Sequence, residues 1–337
     1  MPDLLTDVFG ADAFSAMSLT SAIEILGDSD NYAPTRLKKM GLFVDKGVPT
    51  TAIALEERAG TLVLLPTVRR GGPANVPEAA KRTMRTLTVP HIPYEDLILA
   101  DAILNVRKFG QTNQLESIAS VVNDRLLTMR RDHEVTLERL KVGALQGLIL
   151  DADDSTIYSL FDEFEVTELT HSFIFTVATT NINAVLLAVK RDVERALGGV
   201  VGFDHIHCLA DPTWFAAFID HDRVKSAWNY YNAHLQSKDL RQGFEYCGIV
   251  FEEYAGLVNS KAFIKASTAR FFPVGVPGLF TTYYGPADFV EAVGTIGLPI
   301  YAKQELAPLG RGVKLHVQSN PLPLCHRPEC CVEGTMA

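Results

Sequence analysis

The amino-acid sequence predicts an α+β fold, on the basis of three observations. Alternating and apolar segments between residues 50 and 90 are typical of β-strands. One regular apolar stripe between residues 114 and 148 predicts a single long helix. From residue 180 to residue 318, helical and strand patterns follow one another, and the 337 residues contain no internal repeat or low-complexity tract.

Residues 1–37 predict an arm rather than a compact unit. A helix is expected over 18–26, and the turn-forming stretch GDSDNYAPT follows it. The start MPDLLTD is acidic and lacks the basic and apolar parts of a signal peptide, so we expect no export by that route. Since no apolar run approaches the roughly 18 residues that a membrane span needs, we expect no membrane partner.

Residues 38–95 predict a projecting β loop. TTAIALEE (50–57) and TLVLLPT (61–67) are interpreted as the two strands of a hairpin, and a returning strand is expected over 82–90. Between them lies RRGGPANVP, which is too rich in glycine and proline to form a core of its own. Such a stretch is typical of a loop tip that reaches away from its own domain.

The long helix is predicted by an apolar stripe that advances in steps of three, four and four residues, an 11-residue period. Its members are Leu115, Ile118, Val122, Leu126, Met129, His133, Leu137, Leu140, Ala144 and Leu148. That period corresponds to about 3.67 residues per turn, so the stripe runs nearly straight along an α-helix. At about 1.5 Å per residue the helix would be about 50 Å long. We expect His133 to be packed or hydrogen-bonded rather than a ligand.

The segment GLILDADDSTIYSLFDEF (147–164) predicts a strand, an acidic turn and a second strand. The turn Asp151–Asp154 hints at a calcium loop. However, the sixth loop position is Thr156 and the twelfth is Asp162, where such loops use glycine and glutamate. We interpret the segment as a β-hairpin.

Helices and strands alternate after residue 180. Asn181 is expected to cap a helix that stops at Gly198-Gly199, and a strand follows over 200–209. Asp211 and Pro212 then predict a helix start, with aspartate as the cap and proline at the first position. Further strands are expected over 246–253, 261–270 and 313–318.

Three of the five cysteines lie in the closing stretch PLCHRPECCVEGTMA (323–337). An odd cysteine count without an export signal disfavours disulfides. Cys325 and Cys330 have a spacing found in zinc sites, and His205, His207 and Cys208 would supply a second half-site. We favour an extended, metal-free terminal segment, in which the adjacent Cys330 and Cys331 are an addition without a role.

Catalytic motifs do not appear in the sequence. It contains no phosphate-binding loop, no dinucleotide fingerprint and no nucleophile elbow, and HEVTL (133–137) lacks the second histidine of a zinc protease. FIDHDRV, with Asp220, His221 and Asp222, is interpreted as a solvated helix end. The formal net charge of −9 makes the chain a poor candidate for tight DNA binding.

Three classes of function remain. A metal-dependent hydrolase would use His205 and His207 with a carboxylate. A binding module would use the region 200–300. A self-assembling structural protein explains the projecting loop, the long helix, the arm and the missing catalytic motif, and it accounts for most of the chain. No cofactor is expected.

Six segments in the same order resemble the major capsid proteins of tailed bacteriophages, specifically the lambda-like major capsid protein E family. Together they span most of residues 33–329. The segments are APTRLKKMGLF (33–43), TLVLLPTVRRGGPAN (61–75), VPHIPYEDLILADAILNVRKFG (89–110), TLERLKVGALQGLILDADDSTIYSLFDEF (136–164), ARFFPVGVPGLFTTYYGPADFVEAVGTIGLPIYAK (269–303) and VQSNPLPLCHRPE (317–329).

The resemblance implies a Hong Kong 97-type phage capsid fold and a major capsid (head) protein that is not an enzyme. It would self-assemble into the icosahedral shell that encloses phage double-stranded DNA. The implied parts are an N-terminal arm (1–37), an extended β loop (38–95), a peripheral domain (96–179) with its spine helix (114–148), an axial domain (180–305) and a C-terminal strand (306–337) returning to the peripheral domain.

Partners follow from the same resemblance. We expect hexamers and pentamers of this chain, a separate scaffold, a portal and, as an open alternative, a decoration protein. The DNA would be enclosed without sequence-specific binding, in a shell assembled in the host bacterial cytoplasm and retained as the virion capsid. At the loop tip Arg69, Arg70, Gly71 and Gly72 are predicted to form an intersubunit contact, because arginine pairs well with carboxylates on a neighbour.

Overall fold

A computed structural model describes residues 19–20, 23, 35–58, 82–99, 114–177, 179–199, 201–234, 239, 241, 243–308 and 311–337. The chain divides into two compact units. The first unit takes its described residues from 1–53, 88–140 and 281–323. The second takes them from 54–87, 141–280 and 324–337.

The helices are α1 (Arg36–Met40), α2 (Gln114–Gln146), α3 (Leu160–Glu163), α4 (Ile182–Ala196), α5 (Pro212–Asp220) and α6 (Asp222–His234), with 3₁₀ turns at Val290–Ala292 and Pro328–Cys330. The strands are β1 (Val44–Gly47), β2 (Ala52–Arg58), β3 (Arg82–Thr88), β4 (Ile92–Leu99), β5 (Leu148–Leu150), β6 (Thr156–Ser159), β7 (Thr170–Phe173), β8 (His205–Ala210), β9 (Phe244–Tyr246), β10 (Ile249–Glu253), β11 (Leu257–Val258), β12 (Lys261–Ala262), β13 (Thr268–Val274), β14 (Phe280–Tyr284), β15 (Tyr301–Leu306), β16 (Gly312–Ser319), β17 (Pro321–Cys325) and β18 (Val332–Met336). No helix in these ranges is both long and apolar enough to cross a membrane.

The predicted long helix is confirmed as α2, which has 33 residues and ends two residues before the expected position. It stops because Gly147 adopts a left-handed conformation with φ of +77°. The stripe is buried at Val122, Leu126 and Met129, as its 11-residue period requires.

The first unit builds its core between α2 and an antiparallel sheet in the order β15–β16–β4. The buried apolar side chains are Leu19, Ile23, Ile98, Val122, Leu126, Met129, Ile300, Ala302, Val313, Leu315 and Val317. The described residues of the expected helix over 18–26 are helical, and Leu19 and Ile23 belong to this core. A second sheet has the order β1–β14–β17, with β1 parallel to β14.

The second unit is built on a six-stranded mixed sheet in the order β7–β18–β13–β8–β10–β9. β8 is parallel to β10 and antiparallel to β13. Helices α4 and α5 cover one face of this sheet, and large aromatic side chains fill the space between them, with Trp214 fully buried in α5. Asp211 caps α5 as predicted, because its side chain accepts a hydrogen bond from the Thr213 backbone N–H.

Three boundary predictions for the second unit are wrong. The strand expected over 246–253 is divided by a turn, so that β9 ends at Tyr246 and β10 begins at Ile249. β8 begins at His205 and not at residue 200, and the strand expected over 261–270 is split into β12 and the start of β13. The split is caused by a turn in which Ser267 has φ of +60° and the Thr268 hydroxyl donates to the Lys265 carbonyl. α4 begins where expected, but the side chain of Asn181 makes no capping hydrogen bond.

His221 corrects the interpretation of FIDHDRV as a solvated helix end. It lies between α5 and α6 and is buried, although the neighbouring Asp220 is exposed. The His221 carbonyl accepts hydrogen bonds from the Val224 and Lys225 backbone N–H groups at the start of α6. The histidine therefore belongs to the corner between two helices.

The expectation that Cys330 and Cys331 form an added tail is wrong. Both cysteines are buried, and the strand that follows them, β18, lies between β7 and β13 in the six-stranded sheet. Cys330 and Val332 belong to the aromatic core of the second unit. The C-terminal residues are thus part of this core, because they supply a central strand.

The base of the predicted β loop is a two-stranded ribbon of β2 and β3. The returning strand expected over 82–90 is confirmed as β3, and it is the partner of β2. The stretch 61–67, which we expected to pair with 50–57, lies outside the described residues.

Candidate functional site

The predicted contact residues Arg69, Arg70, Gly71 and Gly72 lie outside the described residues, so their role stays a prediction. The ribbon β2–β3 that leads to them is described. Arg85 of β3 pairs with Glu165 at 3.6 Å and lies 5.9 Å from the centre of the Phe164 ring. These contacts tie the ribbon to the turn after α3 within the second unit.

His205 and His207 share one face of β8 as predicted, and their ring centres are 6.0 Å apart. His207 Nε2 lies 3.1 Å from the Glu252 carboxylate on the adjacent β10, and Phe272 packs against its ring. Partial burial and the neighbouring His207 lower the pKa of His205.

Cys208 cannot complete a metal half-site with these histidines, because it faces the aromatic core on the other side of the sheet. Burial raises the pKa of its thiol, which keeps it protonated. Within the described ranges no three His, Cys, Asp or Glu side chains come close enough together to hold a metal ion. His207 and Glu252 therefore form a structural pair across two strands.

The cysteines near the C-terminus are buried thiols. The sulfur atoms of Cys325 and Cys331 lie 3.8 Å apart and share a thiol hydrogen bond, whereas Cys330 faces the aromatic core. Burial raises the pKa of the Cys325 thiol, and the hydrogen bond to Cys331 raises it further. Protonated, buried thiols are poor nucleophiles and poor metal ligands.

The acidic turn of the predicted hairpin is satisfied by donors from the chain itself. β5 and β6 pair antiparallel around it, which confirms the hairpin. The Asp153 carboxylate accepts hydrogen bonds from the Ser155 hydroxyl and backbone N–H, and these bonds lower its pKa. Asp154 pairs with Lys261 at 2.7 Å.

A different feature stands out on the surface of the first unit, between β14 and β15. Four apolar side chains within nine residues are exposed: Val290 by 89%, Val293 by 80%, Ile296 by 67% and Leu298 by 40%. We call these four residues the 290–298 patch. Sequence reasoning missed it because an apolar stretch such as VEAVGTIGL normally predicts burial.

The segment that carries this patch is anchored by a close backbone approach. The Gly297 N–H donates to the Val48 carbonyl, and the Val48 N–H donates to the Tyr284 carbonyl. A Cβ atom on Gly297 would overlap the Tyr284 carbonyl oxygen, and a Cβ on Gly47 would overlap the Gly297 carbonyl oxygen. Only glycine lets these backbones approach so closely.

Side chains hold the rest of the same segment. Ala292 is buried in a small cluster with Ala287 and Tyr301, and the Tyr301 hydroxyl accepts a hydrogen bond from the Leu298 N–H at 2.8 Å. Lys303 pairs with Glu291 at 2.8 Å. The exposed apolar side chains are therefore presented by a segment that is fixed from below.

Replacing Gly297 with alanine is expected to destabilise the first unit by about 1–3 kcal/mol, because the new methyl group meets backbone atoms that cannot move aside. Gly285→Ala is the matched control. Gly285 is also buried, but its added Cβ would lie 3.4 Å from Val89, an ordinary contact. Denaturant unfolding of the unassembled subunit compares the two. Equal losses of stability would contradict the close approach.

Comparison with known proteins decides the family. Residues 15–336 match the model of the family described as phage major capsid protein E. The chain belongs to this family. It is 27% identical over 324 residues to a major capsid protein of Pseudomonas phage KPP10, covering 89% of this chain and 92% of that one. It is 23% identical over 356 aligned positions to a major capsid protein of Salmonella phage Felix O1, covering 95% of each.

Solved structures support the fold of this member of the phage major capsid protein E family. A candidate capsid protein of a prophage (E. coli CFT073) is 13% identical and matches with a TM-score of 0.57 over 97% of this chain and 100% of that one. A chain from the mature capsid of bacteriophage PhiM1 is 12% identical and matches with a TM-score of 0.50 over 88% of this chain and 85% of that one. The predicted Hong Kong 97-type α+β capsid fold is confirmed.

Family membership also settles the class of function. The protein is a phage capsid protein with a structural, non-enzymatic role, and its place is the virion capsid. Capsid shell proteins associate with copies of themselves, so oligomers of this chain follow. The alternative of a metal-dependent hydrolase at His205 and His207 receives no support.

Proposed function

We propose that this chain is the major capsid protein that closes into an icosahedral shell around phage double-stranded DNA. The observation that carries the proposal is the family match over residues 15–336, which spans both units. The acidic balance of 40 carboxylates against 31 basic side chains supports a wall that encloses DNA without holding it.

The finer organisation belongs to the same proposal. Hexamers and pentamers would form the shell, with a separate scaffold, a portal and a decoration protein as candidate partners, and assembly would take place in the host cytoplasm. The parts would be the arm (1–37), extended loop (38–95), peripheral domain (96–179), axial domain (180–305) and C-terminal strand (306–337). The long helix α2 supports a spine that carries lateral load, since it runs without interruption.

Electron microscopy and sedimentation of the full chain test the proposal. The chain is expressed alone and together with the products of its neighbouring genes. We expect closed or partial shells of regular curvature in at least one of these preparations. A folded chain that sediments as a monomer or small oligomer in all of them would refute the shell.

The loop tip gives a specific prediction within this proposal. Replacing Arg69 and Arg70 with glutamate is expected to leave the subunit folded but to prevent assembly or make it strongly salt-dependent. One exposed arginine–carboxylate contact contributes only about 0–1 kcal/mol, but a closed shell repeats it in every subunit. Circular dichroism reports folding, and sedimentation reports shells.

The control for this change is the double variant with lysine at the same two positions. Lysine keeps both charges and loses only the bidentate geometry, so shells should form with a moderately increased salt sensitivity. Normal shells from the glutamate variant at ordinary salt would count against the contact. So would a glutamate variant that fails to fold.

A further inference from the structure

We propose that the 290–298 patch is an intersubunit contact of the shell and that a second copy of this chain covers it. The inference rests on the proposed function and identifies one surface through which the subunits of the shell would bind each other. Single exposed apolar side chains are common and need no explanation, but a contiguous exposed run marks an interaction site. Here Val290, Val293 and Ile296 fall within seven residues and are exposed by 89%, 80% and 67%.

The anchoring of the segment favours binding over mobility. Gly297 and Gly47 fix the backbone beneath Ile296, and the Leu298 N–H is held by the Tyr301 hydroxyl. A surface that is already in place loses little conformational entropy when a partner covers it. The exposure is therefore a property of a fixed surface.

The charge around the patch indicates the chemistry of its partner. Residues 292–298 contain no charged side chain, and Glu291 beside them is neutralised by Lys303 at 2.8 Å. Depletion of charge at the centre is typical of protein–protein contacts. A nucleic acid would instead require basic side chains. The partner surface is therefore apolar protein.

Among apolar protein surfaces, a second copy of this chain fits best. Capsid shell proteins associate with copies of themselves, so some of the fixed surface of each subunit meets another copy in every repeat. The chain also offers an exposed apolar surface of the required kind, because Leu97 and Leu99 project half-exposed from β4. Contact between two different surfaces of identical subunits propagates, and it closes into rings where the rotation allows.

The full chain with Val293→Glu tests the inference under conditions in which the wild-type chain forms shells. A charge placed in the contact is expected to lower the fraction of chain in shells by about tenfold or more, because the carboxylate would be desolvated without a partner. Val293 is exposed in the subunit, so the circular dichroism spectrum of the Val293→Glu protein should be the same as that of the wild type. Val293→Ile, which keeps the surface apolar, should assemble as the wild type does. Val290→Glu is the second variant and should behave like Val293→Glu.

The other possible results of this experiment distinguish failure of the proposed contact from failure of the proposed function. Normal shells from both glutamate variants would overturn the contact while leaving the proposed function intact. Shells that form normally but no longer retain another phage protein would also overturn it, because that protein would then be the occupant. Glutamate variants that lose their fold would show that the patch belongs to the subunit's own core. A wild-type chain that forms no shells would instead refute the proposed function.

Discussion

Replacing Trp214 with alanine is expected to destabilise the second unit by about 3–5 kcal/mol. The side chain is fully buried in α5, and removing it would leave a cavity that its rigid neighbours fill only in part. Five aromatic rings have their centres within 6.3 Å of the indole: Phe173, Phe175, Phe218, Phe251 and Phe271. Denaturant unfolding of the unassembled subunit, followed by far-UV circular dichroism, measures the loss.

Trp214→Phe is the matched control, and it tests a second point. No described residue accepts a hydrogen bond from the buried Trp214 Nε1–H. An unpaired buried donor costs about 1–3 kcal/mol, so phenylalanine removes an unfavourable group while it keeps most of the ring contacts. We expect a loss below about 1.5 kcal/mol, since the smaller ring leaves only a small cavity. A loss as large as that of Trp214→Ala would show that the indole nitrogen has an essential partner.

Local patterns were sufficient to predict the elements whose stability comes from their own residues. The apolar stripe of α2 repeats over three 11-residue periods, so its length and its buried face follow from the chain alone. Asp211 and Pro212 specify the start of α5 because a capping carboxylate and a fixed φ act within one turn. The hairpin β5–β6 follows in the same way from an acidic turn between two apolar segments.

Elements that depend on distant partners could not be predicted. The strand β18 is short and carries Glu333 and Gly334, so it does not look like core until β7 and β13 pair with it on either side. His221 looked solvated because Asp220 and Asp222 flank it in sequence. It is buried because α5 and α6 meet at that position. The strands that pair with β18 are far away in the chain, and His221 Nε2 lies 3.4 Å from the Val177 carbonyl oxygen, 44 residues earlier in the chain.

The exposure of the 290–298 patch also could not be predicted from the sequence, although here the apolar pattern predicts burial and the side chains are exposed. From composition alone, Val290, Val293 and Ile296 belong to a core, and only the positions of β1, β14 and β15 reveal that they face outward. A hydrophobic pattern in the sequence predicts that a side chain will be buried. It does not predict whether the same chain or another molecule buries it. In a subunit that associates with copies of itself, part of the apolar pattern belongs to contacts between copies.

Acid is expected to destabilise the first unit through His133, the histidine of the α2 stripe. Burial lowers its pKa from the ordinary 6.5 to about 4, and a hydrogen bond with the Val317 backbone and the nearby Asp132 oppose this effect only in part. His316 adds to the lowering. The folded chain therefore keeps His133 neutral at a pH where the unfolded chain already binds a proton.

The sign follows from that difference. The contribution of neutral His133 to stability is complete above about pH 6.5, falls as the pH drops towards 4, and is lost below it. The pKa of His133 is 6.5 in the unfolded chain and about 4 in the folded chain. This difference corresponds to about 3 kcal/mol in the free energy of unfolding. His133→Phe, which keeps a ring beside Tyr94, serves as the comparison, since acid effects from other groups are common to both proteins. We expect the stability of the wild type relative to the variant to decline by about 3 kcal/mol between roughly pH 7.5 and pH 4. Parallel curves over that range would show that protonated His133 finds water or a carboxylate in the folded chain.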